Sequence, residues 1–380
     1  MRLIAAIFGI ANISLVLVDA FEAMVLPRRA TRRYRPARLF YRSLWIFWRI
    51  AARWFRPGAQ RQHFLSVFGP LSLLALFACW VAGLVFSFAL FHWSLAVPLG
   101  DESSRPSLAE CLYLSGETFF TLGYGDLAPT AWVGRFLSVL ESGMGFGFMA
   151  VVIGYLPVLY QAFSRRELVI SLLDARAGSP PTAGELLRRL ARTSDVSKID
   201  KLLWEWETWS ADLLESQLSF PVLAYYRSQH DNQSWLAGLA AILDTCSVLL
   251  ANVPGIDRHQ VQITFAMARH AAVDLALIFR TPPCESANER LPAARFQQFL
   301  EDLNTFGLKV DSSGSPSESL NELRRMYEPF LEGLAAYFLF ELPPIIADEV
   351  PADNWQRSAW LERAPGIGYL PSIRTGDHFS

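Results

Sequence analysis

The sequence predicts an all-α protein, part membrane-embedded and part soluble. Three long apolar runs fall within the first 160 residues, the charge balance reverses after them, and helical periodicity dominates the remainder. With 380 residues, 52% of them hydrophobic, there is chain enough for two or three domains. Residues 1–160 hold 14 basic and 8 acidic side chains, whereas residues 161–380 hold 20 and 28, so the first part is membrane-like and the second soluble. The four cysteines (Cys79, Cys111, Cys246, Cys284) have no metal-ligand spacing, so neither a disulfide framework nor a transition-metal site is expected. Cys246 and Cys284 are expected as core thiols.

Residues 1–26 are expected as an N-terminal transmembrane helix. The run from Leu3 to Leu26 can cross a hydrocarbon core of about 30 Å at about 1.5 Å per residue. A signal peptide is the alternative, given Arg2, the apolar core and the small residues Ala20 and Ala23. Cleavage there would put the following arginines outside, which disfavours it. Asp19 and Glu22 share a face near the end of this run and are expected to pair with Arg28, Arg29 or Arg32.

Residues 27–62 carry eleven arginines and neither a lysine nor an acid. Arg35, Arg38, Arg42, Arg49, Arg53 and Arg56 recur at helical spacings on one stripe, and Trp45, Phe47, Trp48 and Trp54 are among the apolar residues covering the rest. This pattern predicts an amphipathic helix lying among lipid headgroups, with Pro36 early in it and Pro57-Gly58 ending it. A voltage-sensor helix is disfavoured because no preceding set of spans supplies counter-charges. Nucleic-acid binding is disfavoured because the aromatics exceed what a solvated basic patch tolerates.

Residues 63–160 form the next segment. An apolar span runs from His63 to about Val97, and the arginines before it place its start inside. Residues 100–106 are then external, with Asp101 and Glu102 concentrating cations at the mouth. Ser107-Leu108-Ala109-Glu110 reads as a capping box opening a short helix. Beyond it, Thr121-Leu122-Gly123-Tyr124-Gly125-Asp126 offers successive backbone carbonyls that replace the water shell of a dehydrated cation. Its two glycines permit the positive φ that aims them. A third span, from Ala131 or Trp132 to about Tyr160, is dense in glycine, with Pro157 near its inner end and Arg165 and Arg166 following inside.

The motif resembles the filter of the potassium-channel pore family, usually Thr-Val/Ile-Gly-Tyr-Gly-Asp, with Leu122 as a departure. The resemblance is to two-span bacterial potassium channels and covers residues 64–160. It implies a tetrameric pore-loop channel built from outer helix, pore helix, filter and inner helix. K+ as permeant ion would be held at the carbonyls of Thr121, Leu122, Gly123 and Tyr124, with Gly125 completing the filter and the Thr121 hydroxyl forming the innermost ring. Four identical chains must surround one axis, because this chain holds a single filter. The resemblance also implies that Glu117 shares a proton with Asp126 behind the filter, with the Tyr113 phenol replacing the more usual indole. A Glu117 that simply accepts a backbone hydrogen bond is the alternative. Gly145, twenty-two residues after Gly123, falls at the family's hinge position; Gly143 and Gly147 are rival hinges, and Pro157 lies further along the inner helix. Glu141 has no counterpart there. It either faces the cavity as a ring of four charges or tucks behind the filter against the pore helix.

Residues 161–184 are expected as a linker centred on Gly178-Ser179-Pro180-Pro181, and 185–363 as a helical cytoplasmic regulatory domain, with residues 364–380 a flexible tail. Helices are predicted near 185–217, 219–253, 257–280, 287–306 and 317–342, with breaks at 311–316 and at Pro343-Pro344. Trp204, Trp206 and Trp209 predict a packed core or subunit contact, and His259 and His270 a solvated face. No Gly-x-Gly-x-x-Gly follows a strand, no cyclic-nucleotide roll is evident, and no nucleophile-base pair or phosphate loop appears. No enzyme activity and no cofactor are therefore expected. Together these readings imply a voltage-independent potassium channel of the cell inner (plasma) membrane, N-terminus outside and C-terminal domain cytoplasmic. Its partners would be K+, three identical subunits, anionic lipid and an unidentified regulatory ligand, without nucleic acid. The alternatives are a non-conducting membrane sensor or scaffold, or a weakly selective cation channel.

Overall fold

The computed structural model describes residues 1–26, 35–100, 105–192, 197–229, 232–285, 289–311 and 318–347. Among these the chain is helical, with one isolated β-bridge between Leu99 and Pro129. It divides into two units, Met1–Ala162 with Ser219–Tyr226, and Phe163–Leu218 with Arg227–Ser380.

The first unit begins with α1 (Arg2–Met24), α2 (Pro36–Ala52), α3 (Ala59–Ser66) and α4 (Phe68–Ser94). It continues with α5 (Leu108–Phe119) and with α6 (Trp132–Ala177), which runs beyond the unit. The helix α1, the stretch Ala59–Ser94 and α6 are long and apolar enough to cross a membrane. Small and polar residues join α1 to α4, as expected where lipid removes the hydrophobic drive between helices. A Cβ at Gly9 would lie 3.1 Å from the Ser87 carbonyl. Asn12 Nδ2 donates to Gly83 O at 3.0 Å and to Ser87 Oγ at 2.8 Å.

The acids near the end of α1 meet partners at the start of α2 and on α4. Asp19 Oδ2 accepts the Ala37 backbone N–H at 2.9 Å, satisfying an open donor in the first turn of α2, and the Trp80 indole N–H at 3.0 Å. Glu22 pairs with Arg35 at 3.3 Å. Arg28, Arg29 and Arg32 lie outside the described residues, as do the external acids Asp101 and Glu102.

Helix α2 closes at Ala52, before the predicted stop at Pro57-Gly58, so Arg53 is its cap and Arg56 lies beyond it. The helical stripe is therefore Arg38, Arg42 and Arg49, with Arg35 at the N-cap. The aromatic cover divides as well. Trp45 is buried edge-on against Phe68 and Tyr225, at 4.8 and 5.1 Å, and Trp48 stacks on Phe64 at 4.6 Å. Phe47 and Trp54 remain exposed.

Tyr225 reaches this unit from far along the chain. Residues 219–226 return as a short 3-10 turn, Pro221–Tyr225, opened by a proline that pre-sets φ. Phe220 meets Tyr155 at 5.4 Å, and a Cβ at Gly69 would lie 2.5 Å from the Tyr226 ring. The predicted helix 219–253 is thus this turn followed by a separate helix that Ser234 caps by accepting the Ala237 N–H.

In the second unit, α6 continues past Pro157 to Ala177, so residues 161–177, predicted as linker, are helical. After it come α7 (Ala183–Arg192), α8 (Ser197–Ser219), α9 (Trp235–Asn252) and α10 (Arg258–Phe279). Then follow α11 (Ala293–Thr305), α12 (Glu318–Arg325) and α13 (Glu328–Phe338). Residues 193–196, inside one predicted helix, and the predicted tail 364–380 lie outside the described residues. The predicted helix 317–342 is broken at Met326-Tyr327, where Pro329 opens α13.

Helices α9 and α10 also have the length and hydropathy of membrane spans. The burial of α9 accounts for its composition: it is covered by α7, α10, α12 and α13 and is apolar on nearly every side. Its one acid, Asp244, accepts from Arg290 Nη2 and from the Tyr327 hydroxyl, each at 2.6 Å. Burial raises the Asp244 carboxyl above its ordinary range, and Arg290 opposes that shift. Arg290 further donates to Pro343 O at 3.0 Å and to Glu328 at 3.3 Å. Trp206 and Trp209 are buried 4.7 Å apart, whereas Trp204 is exposed. Cys246 is a core thiol, but Cys284 is exposed, because it falls on an irregular segment after α10. His259 and His270 are both exposed.

Candidate ion pathway

The loop is prepared by the helix before it. Ser107 Oγ accepts the Glu110 N–H at 3.2 Å and Glu110 Oε2 accepts the Ser107 N–H at 2.7 Å, a reciprocal capping box that opens α5. At the far end of α5, Glu117 fixes the chain twice. Its carbonyl accepts the Leu122 N–H at 2.9 Å, and its Oε1 accepts the Gly125 N–H at 3.1 Å. Thr121, Gly123 and Gly125 have φ of 57°, 67° and 75°. Glycine adopts this region freely, whereas the β-branched Thr121 pays of order 1 kcal/mol, the kind of strain found at functional positions. Two backbone bonds join the end of α4 to the loop exit, Gly100 N–H to Ala128 O at 2.9 Å and Thr130 N–H to Pro98 O at 3.1 Å.

The carboxylates behind the loop take separate donors. Tyr113 donates its hydroxyl to Asp126 Oδ1 at 3.3 Å, while Glu117 takes the Gly125 N–H. No hydrogen bond joins Glu117 to Asp126 among the described residues, and Glu117 accepts the Gly125 N–H as in the backbone-acceptor alternative.

A Cβ at Gly145 would lie 2.1 Å from the Phe119 carbonyl, so this glycine is where α6 meets the end of α5. Outside the neighbouring turns of α6, Gly143 and Gly147 meet no atom of the described residues within 4 Å of such a Cβ. Gly145 thus has a packing contact with the end of α5, which Gly143 and Gly147 lack. Pro157 lies inside the helix.

Glu141 takes the second of its two predicted placements. It is fully buried, is bonded by Ser115 Oγ of α5, and lies 3.8 Å from His92 Nε2 of α4. It does not open onto a cavity. His92 and Ser115 were not singled out by the sequence reading; the available signal was a histidine within an apolar run, since intramembrane ionisable residues are rarely incidental. Both His92 nitrogens and Glu141 Oε2 are buried without a hydrogen-bond partner among the described residues. Those residues also hold no group of three or more metal-ligating side chains.

Apolar spanning helices, a capped short helix and a re-entrant loop define a multi-pass membrane channel of the pore-loop type. A family model described as "Ion channel" matches residues 74–161. The chain is similar to Protein LctB of Bacillus caldotenax, 33% identical over 104 residues, which is 25% of this chain and 74% of that protein. It is also similar to Protein LctB of Geobacillus stearothermophilus, 30% identical over 114 residues, 27% of this chain and 81% of that protein. A longer similarity, 26% identity over 214 residues, is to "Uncharacterized membrane protein YdjJ" of Bacillus subtilis (strain 168). That match takes in 54% of this chain and 62% of that relative's length. No solved structure matches. The chain belongs to the ion-channel family that residues 74–161 match.

Proposed function

We propose that this chain forms a potassium-selective, voltage-independent, homotetrameric channel gated through its helical cytoplasmic domain. The observation that carries the reading is the loop Thr121–Asp126. Left-handed φ at every second residue, Thr121, Gly123 and Gly125, lets successive carbonyls share one side, as a row of dehydrated-cation ligands requires. The ligands are the carbonyls of Thr121, Leu122, Gly123 and Tyr124, with Gly125, and Tyr113, Glu117 and Asp126 support them. One loop per chain calls for four chains around an axis. Leu122, Tyr124, Phe136, Val139, Phe146 and Ile153 are exposed on the single chain, which suits contact with neighbouring subunits and lipid.

Arginines before α4 and after the apolar part of α6 favour an inner-membrane topology with the N-terminus outside and the second unit in the cytoplasm. The exposed Arg38, Arg42, Arg53 and Arg56 suit anionic headgroups. Flux from reconstituted liposomes tests the reading. Barium-sensitive potassium flux with strong preference over sodium is expected. Absence of flux would leave a non-conducting sensor or scaffold, and equal permeability a weakly selective cation channel.

A further inference from the structure

Within the second unit, the last turn of α6 and the helices α7 and α8 surround an open cavity of about 320 Å³. Its floor is apolar, built from Leu186, Leu190 and Leu202. Most of its accessible surface is apolar, and Arg176, Arg189, Lys198 and Lys201 also line it, against a single lining acid, Glu205. Lys198 and Lys201 are exposed in the first turns of α8 and have no ion-pair partner among the described residues. The positive end of that 23-residue helix adds to their field. Arg189 is held by Glu185 at 2.7 Å. Arg176 meets Glu205 at 3.2 Å, with side chains 43% and 33% exposed. Such an exposed pair is weak and can yield to a competing anion. Even with Glu185 counted, cations outnumber acids here, although residues 161–380 carry an acidic excess.

We propose that this cavity binds a small organic phosphate, its phosphate on Lys198, Lys201 and Arg176 and its apolar body on the leucine floor. The volume stands at the small end of ligand pockets, roughly 300–1,000 Å³. No glycine-rich loop is needed, because side-chain cations and a helix N-terminus supply the recognition. The inference rests on the proposed channel reading for its consequence: Arg176 belongs to α6, the helix that carries Gly145, so occupancy would act on the helix of the pore.

The same phosphate chemistry is offered by a soluble metabolite or by a lipid headgroup, and two arms separate them. Full-length protein in detergent is titrated with AMP, glucose 6-phosphate and inorganic phosphate by calorimetry, and its flotation with phosphatidic-acid vesicles is measured. At least one probe is expected to bind more tightly than about 1 mM. The double variant Lys198→Glu, Lys201→Glu should weaken that binding at least about tenfold, a loss of roughly 1.4 kcal/mol. Glu205→Gln removes the carboxylate competing for Arg176 and should tighten it several-fold, a gain that misfolding does not produce. Charge-dependent binding of a soluble probe assigns the site to a metabolite, and of vesicles alone to a headgroup. Binding by no probe, or binding indifferent to these variants, overturns the inference. Ligand-free potassium flux decides the channel reading, so the two fail separately.

Discussion

In the second unit the buried Asp244 has a donor on each oxygen, whereas in the first the buried Glu141 has a hydrogen-bonding donor on one oxygen and His92 only nearby. The difference separates two uses of buried charge. Arg290 ties α9 to the Pro343 carbonyl, to Glu328 of α13 and, through Asp244, to Tyr327, so removing either partner strands the other. Around Glu141 the count is incomplete, with three polar atoms on α4 and α6 unpartnered among the described residues. A completed network locks one arrangement; an incomplete one leaves room for its members to exchange partners.

The contrast is broken most strongly at Arg290. Arg290→Leu should destabilise the second unit by about 3–5 kcal/mol, because Asp244 is left buried without its counter-charge. Adding Asp244→Leu should restore much of that loss, read by thermal unfolding. An Arg290→Leu protein as stable as the parent would sink the claim of a locked network.

Gly145→Ala comes next. Its Cβ would collide with the Phe119 carbonyl at the end of α5, and overpacking of this kind costs about 1–3 kcal/mol. Flux should fall by roughly tenfold or more, while Gly143→Ala and Gly147→Ala retain it. If Gly143→Ala or Gly147→Ala is the more damaging, bending outweighs packing at this level of α6.

Glu141→Ala should lower the stability of the assembled protein by about 1.5 kcal/mol, less than the Arg290 change, since one bond to Ser115 is lost within the membrane. Glu141→Gln keeps an acceptor for Ser115 and should cost less than half of that, with thermal unfolding in detergent as the measurement. An equal loss in both variants would mean that the charge, and not the hydrogen bond, holds the three helices together. The smallest effect belongs to the cap: Ser107→Ala should cost about 1 kcal/mol, visible as faster hydrogen exchange at the start of α5.

The features legible from sequence were local ones. The capping box at Ser107 and the glycines at 123 and 125 needed only neighbours a few residues away. Glu141 was legible as a question but not as an answer, because its partner Ser115 is 26 positions distant and His92 lies further off on α4. Gly145 matched a spacing, yet its contact is with a carbonyl of another helix, which no spacing reveals. The end of α2 was misread because the arginine stripe keeps its period through Arg53 and Arg56, although after Ala52 the backbone passes to tighter bonds three residues back, ending at Phe55. Residues 219–226 escaped for a similar reason: Phe220, Val222 and Leu223 continue the apolar pattern across a change of structure.

That returning segment bears on how the gene can be cut and recombined. Tyr225 fills the aromatic cluster of Tyr41, Trp45 and Phe68, and Tyr226 occupies the notch left by Gly69. A chain ending after α7 would therefore lose part of the pore unit together with the domain. The C-terminal half is not an interchangeable cassette, and a chimaera that replaces it must either carry residues 219–226 along or supply two aromatic rings in their place.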